Sequence, residues 1–153
     1  MQHRIRGAAL IVRDGALLLV KHQDPVRGTV WWCPPGGGME GSETIFDCVH
    51  REVWEETGLT IEIGDLAYFR EFVESDRGIH HLELFFAATY RAGEIVLGNA
   101  KGLEDEQWIK DARFLSADDL QSLTVYPEML KDAFWSEFRD GFGRAKYLGA
   151  QHG

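Results

Sequence analysis

Cysteine is scarce. Of 153 residues only Cys33 and Cys48 are cysteines, and neither stands in the C-x-x-C or Cys/His spacing of a structural metal site. They read as two buried, reduced thiols, in keeping with a cytoplasmic protein. Basic residues are also short, 16 Lys and Arg against 25 Asp and Glu, for a net charge of −9. That argues against the basic footprint a nucleic-acid polymer needs. It also means that an anionic ligand would depend on a local positive source, which a bound metal can supply. No long apolar run exists. The longest, Leu82 to Tyr90, is broken by Glu83 and Thr89, so no membrane span and no membrane partner are expected. The opening residues, MQHRIRGAALIV, carry no signal-peptide cleavage pattern. Repeats, linkers and low-complexity segments are lacking too. The length fits one domain over residues 1–153, with a loose tail after about residue 141.

What is present is an ordinary globular balance, 44% apolar and 27% charged. Two short apolar runs, Gly7 to Val12 and Ala16 to Val20, flank Asp14-Gly15, a strong hairpin signal. A polar loop follows, then a short strand at Trp31 to Cys33. The run Pro34-Pro35-Gly36-Gly37-Gly38 reads as unable to continue a regular element. Next comes a helix with Thr44 as N-cap, Asp47 completing a capping box, and Gly58 as the left-handed terminator. Strand character returns at Leu59 to Ile63, Leu66 to Val73, His81 to Tyr90 and Ala112 to Leu115. A short helical turn at Ala117 to Leu120 and a closing helix from Pro127 to Phe138 complete the pattern. Strands interleaved with helices predict a mixed sheet with helices packed on it, an α+β fold.

The informative segment is Gly37 to Leu59, GGMEGSETIFDCVHREVWEETGL. On a helical wheel Ile45, Phe46, Val49 and Val53 form a core stripe, with Cys48 at its edge. Glu56 projects into that apolar sector, Glu52 lies beside Ile45, and Glu55 flanks them. These acids carry three costs. They repel one another at i,i+3 and i,i+4, they sit at the end of the helix where the dipole disfavours anions, and two face the interior. Arg51 alone cannot offset three acids. Such a concentration of broken local rules marks a functional site. Converging carboxylates make a hard-oxygen site for Mg²⁺ or Mn²⁺. The preceding glycines, Gly36 to Gly38, let backbone groups approach a ligand closely.

This segment resembles the Nudix box, G-x5-E-x7-R-E-U-x-E-E-x-G-U with U a bulky aliphatic residue. Gly37, Glu43, Arg51, Glu52, Val53, Glu55, Glu56, Gly58 and Leu59 all match, and such a match arises by chance on the order of once in 10⁷ chains of this length. The resemblance implies the Nudix α/β/α sandwich, a mixed β-sheet between helices. It implies metal-dependent hydrolysis of the diphosphate bond in a nucleoside diphosphate joined to another moiety: a nucleotide sugar, an ADP-ribose-like compound, a dinucleotide or a nucleoside triphosphate. Glu52, Glu55 and Glu56 would hold Mg²⁺ or Mn²⁺ or activate water, with the Gly36 carbonyl as a further ligand. Arg51 and Glu43 would orient them. A further acid is expected from downstream, with Glu104, Glu106 and Glu83 as candidates. Family members are often homodimers.

Other residues are candidates for choosing the substrate. Lys21, His22 and Arg27 flank the glycine loop and are within reach of phosphates, with Gly37 and Gly38 lining the approach. Trp31, Trp32, Tyr68 and Phe72 offer stacking surfaces. His80 and His81 point to opposite strand faces, so they do not share one site. The markers of ADP-ribose and diadenosine polyphosphate hydrolases are not found at Ser75-Asp76-Arg77, which leaves the subgroup open. Two rivals stand beside hydrolysis. One is a nucleotide-sensing domain without catalysis, against which the complete box argues. The other is an isopentenyl-diphosphate-isomerase-like enzyme using Cys33.

Overall fold

The computed structural model describes residues 1–97 and 107–153. Among these residues eight strands and three α-helices run in the order β1 (Gln2–Arg13), β2 (Ala16–Gln23), β3 (Val30–Cys33), β4 (Gly36–Gly38), α1 (Ile45–Thr57), β5 (Thr60–Glu74), β6 (Ile79–Ala92), β7 (Ile109–Leu115), α2 (Ala117–Leu120), α3 (Ala133–Asp140) and β8 (Lys146–His152). Hydrogen-bonded neighbours follow the order β3-β2-β1-β6-β5-β8, with β4 on β1 and β7 on β2. The sheet is mixed: β1 runs parallel to β6 over Gln2 to Ile11 and antiparallel to β4 and β2. Among the described residues no helix is long and apolar enough to cross a membrane.

β1 explains the layering. Gly7 to Ile11 is a continuous buried run, as expected of a strand covered on both faces. Ala8 and Leu10 point into a core shared with Leu17, Leu19, Tyr68, Phe85, Leu130 and Phe134, on the side of α2 and α3. Ala9 and Ile11 point the other way, into a core with Leu18, Val49, Val53 and Phe86 beneath α1. Helices therefore cover both faces of a mixed sheet, the α/β/α sandwich expected. The β1–β2 turn takes positive φ at Asp14 (52°) and Gly15 (76°), the requirement of a type I′ hairpin that an Asp-Gly pair meets.

The caps of α1 are those the sequence specifies. Thr44 Oγ1 accepts from the Asp47 amide, Asp47 returns the bond to the Thr44 amide, and Gly58 closes the helix at φ 78°. A Cβ on Gly7 would lie 2.7 Å from Val49 and 2.9 Å from Ile45, so the bare glycine lets α1 settle close on β1. Phe46 departs from expectation. It is 45% exposed and meets Phe86 edge-on, because Ile45 and Val49 take the position over Gly7 and leave Phe46 at the rim.

Four elements differ from the sequence reading. The triple glycine is a strand, β4, in register with Arg6, Gly7 and Ala8. The two segments expected at Leu59 to Ile63 and Leu66 to Val73 are one strand, β5, whose register with β6 shifts between Ile63 and Leu66 and again before Tyr68. An irregularity of that kind absorbs residues without ending the ladder. The closing helix is broken: a 3-10 turn at Glu128–Lys131 is followed by α3, and Asp132 between them leaves helical angles (φ −138°, ψ −82°) and accepts from the Ala133 amide. The tail is not loose, since β8 pairs in parallel with β5 and covers what would otherwise be an open sheet edge.

Candidate active site

The last two turns of α1 deliver the acids. Glu56 is 2% exposed and Glu52 6%, as the wheel placed them, while Trp54 faces outward. Glu56 Oε1 accepts from the Gly36 amide at 2.8 Å. Ala8 and Gly36 are opposed in the β1–β4 ladder, while the Ala9 amide bonds to the Pro35 carbonyl. Gly36 therefore turns its own N–H and C=O away from β1, and its carbonyl shares the edge that Glu56 occupies. Burial, reinforced by the charge of Glu52, holds the Glu56 carboxyl well above the usual glutamate range.

Arg51 organises the rest. Its Nε and Nη2 grip Glu43 at 3.0 and 2.7 Å, its Nη1 donates to Glu52 Oε1 at 2.8 Å and Glu55 Oε2 at 3.3 Å, and Nη2 also donates to the Gly38 carbonyl at 3.0 Å. The bidentate hold on Glu43 is the main reason the guanidinium is raised above its ordinary range, against burial. In return it draws the Glu43 carboxyl down. Gly37 completes the packing: a Cβ there would fall 2.4 Å from the Glu52 carboxylate. Cys48 is pushed up to about 11, first by burial and then by Glu43 and Glu52. It donates to the Gly37 carbonyl at 3.4 Å, so it is an inert packing thiol.

Among the described residues no three acidic, imidazole or thiol side chains close around a single point. Arg51 holds Glu52 and Glu55, and Gly36 holds Glu56. The donors on hand are nonetheless all hard oxygens, three carboxylates and a carbonyl. The displaced titration of Glu56 marks negative charge that the fold leaves short of compensation. Both features fit a divalent cation.

The other candidates divide. Glu83 is buried and committed: Arg6 Nε and Arg70 Nε approach it at 3.3 and 2.8 Å. Burial would raise its carboxyl, but the two guanidinium groups outweigh that and hold it below the usual range. Glu104 and Glu106 lie outside the described residues. Lys21 sits on β2 opposite Trp32. Arg27 lies in the exposed β2–β3 loop, which Asp24 closes by accepting from the Val26 and Arg27 amides. His80 and His81 separate as their alternation requires, the first to Glu71 and the second to Glu74. Trp32 and Tyr68 are core residues, and Phe72 stacks on His81. Trp31 stacks on His22 and stays half-exposed.

Sequence reasoning missed Arg6 and Arg70. Burial lowers the Arg6 guanidinium, but the Glu83 carboxylate outweighs that and leaves it above its ordinary range. The signal for this pairing is the β1–β6 register, Arg6 beside Glu83 across 77 positions. The sequence does not print it.

A mixed sheet between helices thus carries an Arg-organised set of glutamates on a Gly-capped helix. The NUDIX domain model matches residues 1–133, and the chain belongs to that family. It is a Nudix hydrolase, of a family that generally uses divalent metal ions and small nucleotide-like substrates. It is 32% identical over 124 residues to a Nudix hydrolase of Bacillus subtilis (strain 168), YvcI, covering 81% of this chain and 72% of that one. To a MutT-like protein of Streptomyces ambofaciens it is 45% identical over 65 residues, 42% of this chain and 40% of that protein. The crystal structure of a MutT NUDIX hydrolase from Burkholderia pseudomallei superimposes with a TM-score of 0.67 at 26% identity, covering 86% of this chain and 96% of that one.

Proposed function

We propose that this Nudix hydrolase cleaves the diphosphate bond of a nucleoside diphosphate joined to another moiety, using Mg²⁺ or Mn²⁺ held by Glu52, Glu55, Glu56 and the Gly36 carbonyl. The observation that carries the reading is Glu56: a carboxylate buried in an apolar sector, beside Glu52, with one backbone amide as its bonded partner. Such a group is kept either protonated or as an anion offset by a bound cation, and the neighbouring carboxylates and carbonyl favour the cation. When bound, the cation neutralises phosphoryl oxygens and makes a water acidic enough to attack near neutral pH.

The chain's own residues do the positioning. Glu43 fixes Arg51, and Arg51 fixes Glu52 and Glu55. Glu55 is the more open of that pair, with its side chain 19% exposed against 7% for Glu52, and we assign it the proton of the attacking water. The products are a nucleoside monophosphate and a phosphorylated remainder, or monophosphate and pyrophosphate from a triphosphate.

A panel of nucleotide sugars, ADP-ribose, dinucleotides, nucleoside triphosphates and isopentenyl diphosphate tests the reading, with Mg²⁺ or Mn²⁺ and with chelator. Monophosphate release that disappears with chelator and with Glu56→Gln is the expected result. Full activity in chelator refutes the metal role, and tight nucleotide binding without turnover would make the protein a sensor.

A further inference from the structure

Three aromatic rings continue the site beyond the carboxylates. Glu56 Oε1 accepts from the Gly36 amide at 2.8 Å, and Cys33, three residues before Gly36, has its Sγ 3.5 Å from His22 Nδ1. His22 and Trp31 are direct cross-strand partners on β2 and β3. Their rings stack at 5.5 Å and 14°, the sort of pair that fixes side-chain orientation on a sheet. Trp108 then meets Trp31 at 6.1 Å and 62°. Its place is set by the main chain, because the Gln23 amide donates to the Trp108 carbonyl at 2.8 Å and the next residue, Ile109, pairs with His22. Trp32, one residue away, goes to the opposite core, whereas Trp31 and Trp108 both stay partly exposed.

We infer that Trp31 and Trp108 form the subsite for a planar heterocycle of the substrate, a nucleobase attached to the diphosphate. This rests on the diphosphate reading above. Two partly exposed indoles held at an angle supply stacking surface with little rotamer entropy left to lose. The run from Glu56 through the Gly36 amide, Cys33 and His22 to Trp31 carries that surface on from the edge of β4 that Glu56 occupies. Within each strand pair Trp31, His22 and Cys33 belong to one connected set, so a base seated there leaves its phosphates toward Glu56. His22 backs Trp31 and is a positioning residue. The recognition is by ring stacking, so it selects an aromatic base over a ringless alcohol without choosing strongly among bases.

The test has two arms. In the first, kcat/KM is measured for ADP-ribose and for inorganic tripolyphosphate, which has no ring, in the metal-loaded protein and in Trp108→Ala, Trp108→Phe and Trp31→Ala. The ratio of ring-bearing to ringless substrate should fall about 10- to 100-fold in the alanine variants, the usual cost of a lost base stack, and should recover largely with phenylalanine. An unchanged ratio, including equal losses on both substrates, overturns the assignment. In the second arm tryptophan emission is titrated with AMP and with ribose 5-phosphate. Quenching by AMP alone, abolished in the folded double variant Trp31→Phe/Trp108→Phe, is the expected result. Quenching that survives in that variant, or equal quenching by ribose 5-phosphate, overturns it. If the native protein hydrolyses no diphosphate, the enzymatic reading fails and the fluorescence arm still decides the subsite.

Discussion

The Gly36 amide donates to Glu56 Oε1 at 2.8 Å, joining the edge of β4 to the last turn of α1 across twenty residues. Glu56 is thereby held by one neutral donor while burial and Glu52 both oppose its charge. A group held so weakly as an anion should reveal its purpose when that charge is deleted.

Glu56→Gln keeps the shape and removes the charge. Turnover should fall by more than the roughly 10- to 100-fold that loss of a ligand's supporting partner costs, while the metal-free protein melts no lower than the parent. Trp54→Ala, on the outward face of the same helix, is the matched control and should keep its metal dependence. Near-normal rates in Glu56→Gln would leave Glu52 and Glu55 to hold the cation without it.

Metal should stabilise the fold. A cation at 100 times its Kd adds about 2.7 kcal/mol, or roughly 5–10 °C in Tm for a domain of this size. Because the Glu56 carboxyl titrates above the usual range, its proton competes with the cation. Apparent affinity for Mg²⁺ should therefore rise with pH. Thermal melts against Mg²⁺ concentration at two pH values check both points. A Tm indifferent to millimolar Mg²⁺, or an affinity that falls as pH rises, would contradict the arrangement.

The buried ion pairs around Glu83 predict a different pH profile. Burial raises that carboxyl, yet Arg6 and Arg70 bring it below its unfolded value. The native state thus binds fewer protons than the unfolded chain. The stability from this cluster is present above the unfolded pKa and is lost as pH falls through the folded one. Glu83→Ala should cost about 2–4 kcal/mol near neutrality, the low side of the range for a broken buried pair because Arg6 is one-third exposed. The gap should narrow as the pH falls below the ordinary glutamate range. Urea unfolding at both pH values would show it, and a gap of constant size would trace the loss to packing instead.

Neighbouring glycines should fail in different ways. A Cβ at Gly36 would meet the Gly7 carbonyl oxygen at 2.4 Å and Ala8 at 2.6 and 2.7 Å, so Gly36→Ala forces backbone apart and should destabilise by about 1–3 kcal/mol. A Cβ at Gly37 would meet the Glu52 carboxylate. Gly37→Ala should hold more of its stability and lose metal affinity. Melting curves and Mg²⁺ titrations on the two variants separate these effects, and identical phenotypes would count against the assignment.

Legibility in the sequence followed the range of the interactions. The caps of α1, its inward Glu56 and its outward Trp54 depend on residues within four positions of one another, and a wheel shows them. The Asp14-Gly15 hairpin is equally local. β4 was missed because glycine carries no strand signal of its own, and its pairing with Arg6 to Ala8 depends on a neighbour thirty residues back. Arg6 and Arg70 on Glu83, and Trp108 beside Trp31, depend on strand register, which alternation along one strand does not reveal. The break at Asp132 was hidden by an apolar periodicity that continues through it.

The three glycines of β4 have a consequence for how such a chain can diverge. Their missing side chains face three different neighbours, Ala8, the Glu52 carboxylate and the Arg4 guanidinium. A larger residue at any one of them has no slack to draw on within β4 itself. At Gly36 the obstacle is backbone, the Gly7 carbonyl oxygen, and no side-chain change clears it; at Gly37 it is a carboxylate held by the chemistry; at Gly38 it is the far end of Arg4, which can swing aside. Drift is therefore channelled to the last of the three positions, where a side chain can give way without the backbone following.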